Sequence, residues 1–182
     1  DYHSVLARRV LGLLPELAAT NPKTGGPLLA NWDQRLEADS SAAALWNVWY
    51  YRHLNPALGN MLTKGDPLPS GSLSTQTSLK LLETNEGQRL AAASLRNAWA
   101  ATTELLGADA SQWQWGDLHQ IMFAHPLQNR VDAKLAKDMK IRAYPRGGSA
   151  NTTNNTGFYD DTFNVRSGAS FRMVVDVGNW DD

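Results

Sequence analysis

Residues 40–62, SSAAALWNVWYYRHLNPALGNML, carry apolar side chains on nearly every side of the helix that they predict. Ser40 or Ser41 is suited to cap its N-terminus, because a serine hydroxyl accepts a hydrogen bond from a free N–H of the first turn. Pro56 is expected to end or bend the helix, since proline lacks the backbone N–H. A helix that is apolar all round, yet too short for a bilayer span of roughly 20 apolar residues, is typical of the core of a larger protein.

Helices are also predicted on both sides of this segment. The first begins after Ser4, a possible N-cap, and is broken or kinked near Pro15. Its apolar residues at helical spacing are Leu6, Val10, Leu13, Leu14 and Leu17. Residues 65–72, GDPLPSGS, predict a loop. Residues 75–107 then predict one or two helices that end at Gly107, where a left-handed C-cap is expected.

Residues 113–127, WQWGDLHQIMFAHPL, combine tryptophan, histidine and proline in one apolar stretch. The spacing predicts a helix with Trp115, Leu118 and Met122 on one face, which Pro126 stops. His119 and His125 are six residues apart, which differs from the i, i+4 spacing of a helical metal site, even if Asp117 is added. We therefore expect His119 to be half-buried against neighbouring helices, and His125 to hydrogen-bond the turn before the proline.

The chain changes character after Leu127. A basic surface is predicted from Lys134, Lys137, Lys140, Arg142 and Arg146. Residues 146–157, RGGSANTTNNTG, predict a solvated polar loop, and Asn151 and Asn154 in it fit the N-x-[ST] pattern of glycosylation with low specificity. A strand is predicted within residues 170–180, centred on Phe171 to Val177, with neighbours from outside the chain or from the segment around Phe158 to Val165.

These patterns predict an α+β fold, mainly α-helical with a short C-terminal β segment. We divide the chain into a helical scaffold region, residues 1–130, and a loop-rich segment ending in a strand, residues 131–182. Both are expected to be part of one fragment of a larger domain, because the all-apolar helix and the lone strand need more protein around them.

Composition excludes several classes of function. The 182 residues hold 17 Lys plus Arg and 18 Asp plus Glu, a formal net charge of -1, so neither nucleic acid nor an anionic membrane is an expected partner. The chain has no cysteine, which rules out disulfides, a cysteine nucleophile and thiolate zinc sites within it. Compartment is therefore not decided by redox chemistry.

Other catalytic and binding patterns are weak. Ser167 to Ser170 reads SGAS, which is not the G-x-S-x-G nucleophile elbow. The oxygen-bearing residues of the final turn do not follow the calcium-loop order, and we expect a solvated turn there: they are Asp176, Asn179, Asp181 and Asp182. A carbohydrate platform is disfavoured because five tryptophans lie in or beside apolar helical patterns: Trp46, Trp49, Trp99, Trp113 and Trp115. We predict no catalytic, cofactor-binding or metal-binding residue in this chain.

Three segments in order resemble the penicillin acylase (penicillin amidase) family of N-terminal-nucleophile hydrolases. They are LLANWDQRLEADSSAAALWNVWYYRHL, residues 28–54, WQWGDLHQIMFAHPL, residues 113–127, and GGSANTTNNTGFYDDTFNVRSGASFRMVVDVGNWD, residues 147–181. The matching region lies late in the family's β subunit. The resemblance implies an amide hydrolase that is made as a precursor, cleaved into two subunits and folded as an αββα sandwich, with a structural calcium in many members and a periplasmic or secreted location.

In such enzymes the β subunit's own N-terminal Ser, Thr or Cys attacks the amide carbonyl. Asp1 has neither hydroxyl nor thiol, so we expect the nucleophile, the oxyanion hole and the calcium ligands to lie in segments that precede this chain in a longer protein. The chain is then a non-catalytic scaffold, inactive alone and prone to expose an apolar patch, whose partners are the rest of the β subunit, the α subunit and a small-molecule amide. The alternative is a helical protein-interaction module with a Trp-rich face.

Overall fold

The computed structural model describes residues 2–19, 22–68, 71–123, 125–127, 129–138, 142–158, 162–169, 171, 173 and 178. Within these residues the α-helices are α1 (Val5–Gly12), α2 (Gly26–Ala30), α3 (Ser41–Asn47), α4 (Asn55–Thr63), α5 (Thr75–Leu82), α6 (Asn85–Leu106), α7 (Trp115–Leu118) and α8 (Ala133–Asp138). A π-helix spans Val48–Leu54, and short 3-10 helices span Pro15–Ala19, Pro22–Thr24 and Ala110–Gln112. The strands are β1 (Gln120–Ile121), β2 (Tyr144–Pro145), β3 (Gly157–Phe158) and β4 (Val165–Ser167). The protein is helix-rich with small antiparallel strands, as expected of the α+β class.

Residues 41–63 form the buried centre of the molecule. Helix α3, the π-helix and α4 follow one another without a break, and the Ser40 hydroxyl caps the start by accepting a hydrogen bond from the Ala43 N–H at 3.1 Å. The π-helix packs against the long helix α6, and α3 contacts both α2 and α7. The fully buried residues here include Leu45, Trp46, Val48, Trp49, Leu54 and Leu58. The predicted core helix is confirmed.

Pro56 does not end this helix, contrary to one of the two outcomes expected for it. It lies in the first turn of α4, directly after the π-helix. The Asn55 N–H donates to the carbonyl of Tyr50, five residues back, so the turn before the proline is wider than an α-turn. We attribute the continuation to this wider turn, because a proline within a regular α-helix loses a hydrogen bond and meets the carbonyl four residues back.

Two side chains on the central helix fix the elements around it. The Trp49 indole N–H donates to the Ser94 hydroxyl of α6 at 2.9 Å. The Asn55 amide donates to the Leu73 carbonyl and to the Ser78 hydroxyl, and its oxygen accepts from the Leu73 N–H, each at 3.1 Å. The buried polar groups of Trp49 and Asn55 are therefore satisfied by α6 and by the segment that leads into α5.

The flanking helices largely match their sequence signals. The Ser4 hydroxyl caps α1 by accepting from the Ala7 N–H at 3.0 Å, and α1 ends at Gly12, before Pro15. The 75–107 region is two helices, α5 and α6. Gly107 ends α6 with φ 95° and ψ 171°, a conformation close to exclusive to glycine but outside the left-handed helical region that was expected.

The helix predicted over 113–127 is wrong beyond Leu118. Helix α7 has only four residues, and the chain then turns into β1, which pairs antiparallel with β2. Met122 is consequently 54% exposed and does not share a buried face with Trp115. The periodicity failed because the His119 ring is hydrogen-bonded to the Phe163 carbonyl and the His119 carbonyl accepts from the Arg146 N–H, each at 2.8 Å.

The loop-rich end contributes two short strand pairs. Strand β3 pairs antiparallel with β4, and an irregularity in register lies between Gly157 and Phe158. Most of the strand predicted over Phe171 to Val177 lies outside the described residues. In the part of the chain that the structure describes, we find no helix with the length and apolarity that a membrane span requires.

Leu58 and Leu62 of α4 form a matched pair that tests which face of this helix stabilises the folded protein. Leu58 is fully buried and Leu62 is 49% exposed. We expect Leu58→Ala to lower the free energy of unfolding by about 2–5 kcal/mol, because it leaves a cavity in the core. Leu62→Ala should change it by less than about 1 kcal/mol. Urea denaturation followed by tryptophan fluorescence measures both, and equal losses would contradict the buried face assigned to α4.

Candidate functional site

His119 lies at the centre of an aromatic cluster just after α7. Its side chain is fully buried and stacks on Trp115, with ring centroids 4.7 Å apart and planes 8° from parallel. Phe158 of β3 presents its ring nearly perpendicular to His119 at 5.7 Å. Phe163 contacts both Trp115 and Phe158 edge to face, at 5.5 and 5.2 Å. We call Trp115, His119, Phe158 and Phe163 the His119 cluster.

The hydrogen bonds of His119 assign its protonation state. Its Nδ1 lies 2.8 Å from the carbonyl oxygen of Phe163, which can only accept, so Nδ1 carries the proton and donates it. Nε2 has no partner among the described residues. Burial lowers the pKa of His119 to about 4, against the opposing effect of the Phe163 carbonyl and with a smaller lowering from the Arg146 charge. The ring is therefore neutral at pH 7.

Phe163 is held in a conformation that a bulky residue rarely adopts. Its φ is 59°, in the left-handed region, and its side chain is buried. The Arg52 guanidinium carbon lies 3.8 Å from the centroid of its ring, a cation–π contact from the π-helix. The hydrogen bond from His119 and the Arg52 contact together stabilise this backbone, which by itself costs on the order of 1–3 kcal/mol.

Residues 147–156, which we call the polar loop, are folded into the interior. The Asn154 amide donates to the Gly147 carbonyl at 3.1 Å, and the Thr156 hydroxyl donates to the same carbonyl at 2.8 Å. The Thr152 hydroxyl accepts from the Ser149 N–H at 3.0 Å. Thr152, Asn154 and Thr156 are buried, whereas the residues between them are exposed. The expectation of a plain solvated loop is therefore wrong, because these side chains satisfy the loop's backbone inside the protein.

Backbone and indole groups join the polar loop to the rest of the protein. The Gly148 N–H donates to the Leu36 carbonyl at 2.7 Å, and the Gly148 carbonyl accepts from the Trp115 indole at 2.9 Å. Gly148 has φ 88°, and a Cβ there would lie 2.2 Å from the Asn154 side-chain oxygen. Only glycine fits at this position, so the GG pair at 147 and 148 is a packing requirement.

The other histidines that the structure describes lie apart from one another in the fold. His125 Nδ1 accepts a hydrogen bond from the Leu127 N–H at 3.2 Å, which confirms its expected role at the turn of Pro126. Burial, and then the neighbouring Arg52 charge, lower the pKa of His53. The described residues bring together no group of three or more His, Asp or Glu side chains that could hold a metal ion. The oxygen-bearing residues of the final turn fall outside the described part: Asp176, Asn179, Asp181 and Asp182.

The tryptophans in the described part of the chain are packing residues. Buried among the described ones are Trp32, Trp46, Trp49, Trp113 and Trp115, and Trp99 packs half-buried against the core. The sugar-platform and Trp-rich-face hypotheses both require exposed rings, which these residues do not supply. Of the predicted basic surface, Lys134, Lys137 and Arg142 are exposed, Arg146 is half-buried and Lys140 lies outside the described residues.

Sequence reasoning missed three parts of this site: Arg52, Phe158 and Phe163. It expected His119 to be half-buried, and the structure buries it fully. Nothing local in the sequence pairs Arg52 with a ring more than a hundred residues away. The chemistry of the cluster is that of an anchor: a neutral buried imidazole holds a backbone carbonyl and is closed to solvent.

Comparison with known proteins places this chain in a group of similar sequences. The family model described as penicillin amidase matches residues 1–182. "Acyl-homoserine lactone acylase QuiP" of Pseudomonas syringae pv. tomato is 26% identical over 193 residues, covering 93% of this chain and 23% of the relative. The protein of the same name from P. syringae pv. syringae is 25% identical with the same coverage, and that from P. putida is 34% identical over 88 residues, covering 48% and 10%. The chain thus spans about a quarter of the length of the first two relatives.

The pKa of His119 predicts how stability depends on pH. The folded pKa of about 4 lies below the ordinary 6.5, so the unfolded chain binds this proton more tightly. The resulting stabilisation is fully present above pH 6.5 and is lost as the pH falls towards 4, by about 3 kcal/mol. His119→Asn keeps an amide N–H for the Phe163 carbonyl but cannot titrate.

We expect the free energy of unfolding of the His119→Asn variant to vary less with pH than that of the unsubstituted protein. Denaturant titrations at several values between pH 4 and 7 measure the two slopes. Carboxyl groups titrate in both proteins, so the difference between the slopes isolates His119. Identical slopes would contradict the buried neutral imidazole.

Asn154 and Asn155 test the polar loop. Asn154→Asp replaces a buried amide donor by an acceptor, so the Gly147 carbonyl loses one of its donors. We expect a loss of about 1–3 kcal/mol in the free energy of unfolding, or more if the carboxyl stays charged. Asn155→Asp makes the same chemical change at an exposed position and should stay within about 0.5 kcal/mol. Thermal unfolding of both variants checks this, and two small effects would mean that the loop is solvated.

Proposed function

The chain belongs to the penicillin amidase family, and from this premise we propose that it is a non-catalytic scaffold portion of an amide hydrolase. In the proposed enzyme an N-terminal Ser, Thr or Cys, located elsewhere in the full-length protein, attacks the amide carbonyl. Its own α-amino group acts as the base, and an acyl-enzyme forms and is then hydrolysed. An oxyanion hole, also outside this chain, stabilises the tetrahedral intermediate.

The observation that carries the scaffold role is the state of His119. A general base needs an exposed ring and a pKa near the working pH. The His119 ring is fully buried, its Nδ1 is committed to the Phe163 carbonyl, and its pKa is near 4. Its geometry supports a role in holding the polar loop and the β3–β4 pair against the helices, and it does not support proton transfer to a substrate.

The relatives support a substrate class. The two Pseudomonas syringae relatives are named acyl-homoserine lactone acylase, and at 25–26% identity they match 93% of this chain. We propose that the full-length protein hydrolyses a linear amide, with an N-acyl-homoserine lactone as the first candidate and the acyl side chain of a β-lactam as the second. The products would be the free acyl carboxylate and the amine.

The remaining parts of the proposal follow the family. The chain would pack with the rest of the β subunit and with the α subunit in an αββα sandwich, in a periplasmic or secreted enzyme. The structural calcium found in many family members would be held by other segments of the full-length protein. The Trp-rich interaction module is the weaker alternative, because the described tryptophans are buried or half-buried.

The test compares the 182-residue chain with the full-length protein encoded by the surrounding reading frame. We expect the full-length protein to be cleaved, to expose a new N-terminal Ser, Thr or Cys, and to release homoserine lactone from its N-acyl derivative. We expect no release by the 182-residue chain. Chromatography of the products and N-terminal sequencing of the subunits are the measurements.

The matched control is the full-length protein with the new terminal residue replaced by alanine. This variant should fold like the unsubstituted protein. It should cleave neither the amide of an N-acyl-homoserine lactone nor a chromogenic phenylacetyl amide. Hydrolysis by the purified 182-residue chain, or activity that survives the alanine replacement, would overturn the proposal.

A further inference from the structure

A cavity of about 710 Å³ lies where the end of α1 meets the beginning of α6. One wall is formed by residues 12–17, which include the end of α1 and the start of the 3-10 helix Pro15–Ala19. The other wall is formed by side chains at the beginning of α6: Asn85, Gln88, Arg89 and Ala92. The volume of this cavity is in the range of small-molecule sites, roughly 300–1,000 Å³.

Hydrogen bonds hold the two walls together. The Gln88 side-chain amide donates to the Leu13 carbonyl at 3.3 Å, which ties α6 to the end of α1 beside the cavity. The Leu14 N–H donates to the Leu11 carbonyl at 3.0 Å, and the Leu17 N–H donates to the Leu14 carbonyl at 3.1 Å. The chain is therefore folded into a defined turn along this wall, and the cavity is formed before a ligand enters it.

Most of the cavity lining is apolar. Leu14 and Leu17 are buried, and Leu13 and Ala92 pack half-buried against the core. Gly12 also lines the cavity, and a Cβ added to it would meet no atom within 4 Å, so open space lies next to this residue. An aliphatic side chain of a ligand would be removed from water here, which favours binding.

Two opposite charges line the cavity, one on each wall. Glu16 belongs to the 3-10 helix and Arg89 to α6, and no other described lining residue is charged. Neither side chain makes an ion pair or a hydrogen bond in the part of the chain that the structure describes. A ligand with a single charge would be attracted by one of them and repelled by the other, whereas a zwitterion is complementary to both.

We propose that this cavity binds an apolar α-amino acid in its zwitterionic form. The ligand's carboxylate pairs with the Arg89 guanidinium, whose planar fork suits a carboxylate, and its ammonium group pairs with Glu16. Its side chain contacts the leucines of the wall at residues 12–17. The site goes beyond the amide hydrolysis proposed above and does not depend on it, because binding at this cavity requires neither the nucleophile nor the oxyanion hole.

Calorimetric titration of the full-length protein with L-leucine tests the site. We expect a Kd of about 1 mM or tighter. Isocaproate and isoamylamine keep the leucine side chain with one charge each, and glycine keeps both charges without the side chain. Each of these three should bind at least about tenfold more weakly than leucine. Absence of leucine binding at about 10 mM, or equal binding of leucine and a singly charged analogue, would overturn the proposal.

Substitution of the two charged residues locates the bound amino acid. We expect Arg89→Gln and Glu16→Gln each to raise the Kd for leucine about tenfold, and Arg89→Lys, which keeps the charge, to raise it less. Arg96→Gln and Glu104→Gln make the same changes at exposed positions of α6 that do not line the cavity, so the Kd should not change. If Arg89→Gln and Arg96→Gln bind leucine equally well, leucine binds elsewhere and the proposal fails.

Gly12 supplies an independent test of the cavity itself. Its backbone lies outside the left-handed region, and a side chain there has room, so substitution should leave the fold intact. We expect Gly12→Phe to fill the cavity and raise the Kd for leucine by more than about tenfold, whereas Gly12→Ala adds one methyl group and keeps binding. Circular dichroism checks that both variants are folded. A folded Gly12→Phe variant that binds leucine as tightly as the unsubstituted protein would contradict the assignment.

Leucine binding and amide hydrolysis are measured separately. A full-length protein that binds leucine at this cavity but hydrolyses no amide would support the site while contradicting the proposed function. A protein that hydrolyses an acyl-homoserine lactone but binds no leucine would support the proposed function and overturn the site.

Discussion

Burial of residues 42–50, in α3 and the start of the π-helix, is the constraint on which the rest of the structure depends. The polar side chains of a buried helix are kept from water, so hydrogen bonds inside the protein lower the cost of burying them. The Trp49 indole N–H donates to the Ser94 hydroxyl of α6, and the Asn55 side chain is hydrogen-bonded to both the N–H and the carbonyl of Leu73. These bonds fix the register of α6 and the entry into α5, and so most of the helical body is positioned by its central element.

A series of aromatic contacts connects the central helix to the strands. Trp46 stacks on Tyr50 at 5.1 Å, Tyr50 contacts Tyr51 at 5.0 Å, and Tyr51 contacts Phe158 of β3 at 4.9 Å. Phe158 then joins the His119 cluster. The π-helix contributes at the same place, because Arg52 lies next to Tyr51 and covers the Phe163 ring. The strand pair β3–β4 is therefore attached to the core by ring contacts and by the hydrogen bond from His119.

Features set by a few neighbouring residues were predictable from the sequence, and features set by distant ones were not. The caps at Ser4 and Ser40 follow from one hydroxyl and one N–H three residues later. The end of α7 depends on contacts of His119 with Phe163, 44 residues away, which no helical periodicity contains. The burial of the polar loop depends in the same way on the Leu36 carbonyl. No site residue was predicted, and the anchor at His119 emerged only from its contacts.

The helical body and the strand pairs differ in how far their large apolar side chains are covered. In the helical body the described tryptophans are covered, and the buried polar groups are paired almost throughout. At the strand pairs, His119 and the polar loop hold the backbone in place, whereas the side chains of Met122, Phe123 and Tyr144 are about half exposed. A strained Phe163 backbone and a neutral buried imidazole are costly ways to position short strands. They hold β3 and β4 in one position against the helical body, through the Phe163 carbonyl and the Tyr51–Phe158 ring contact.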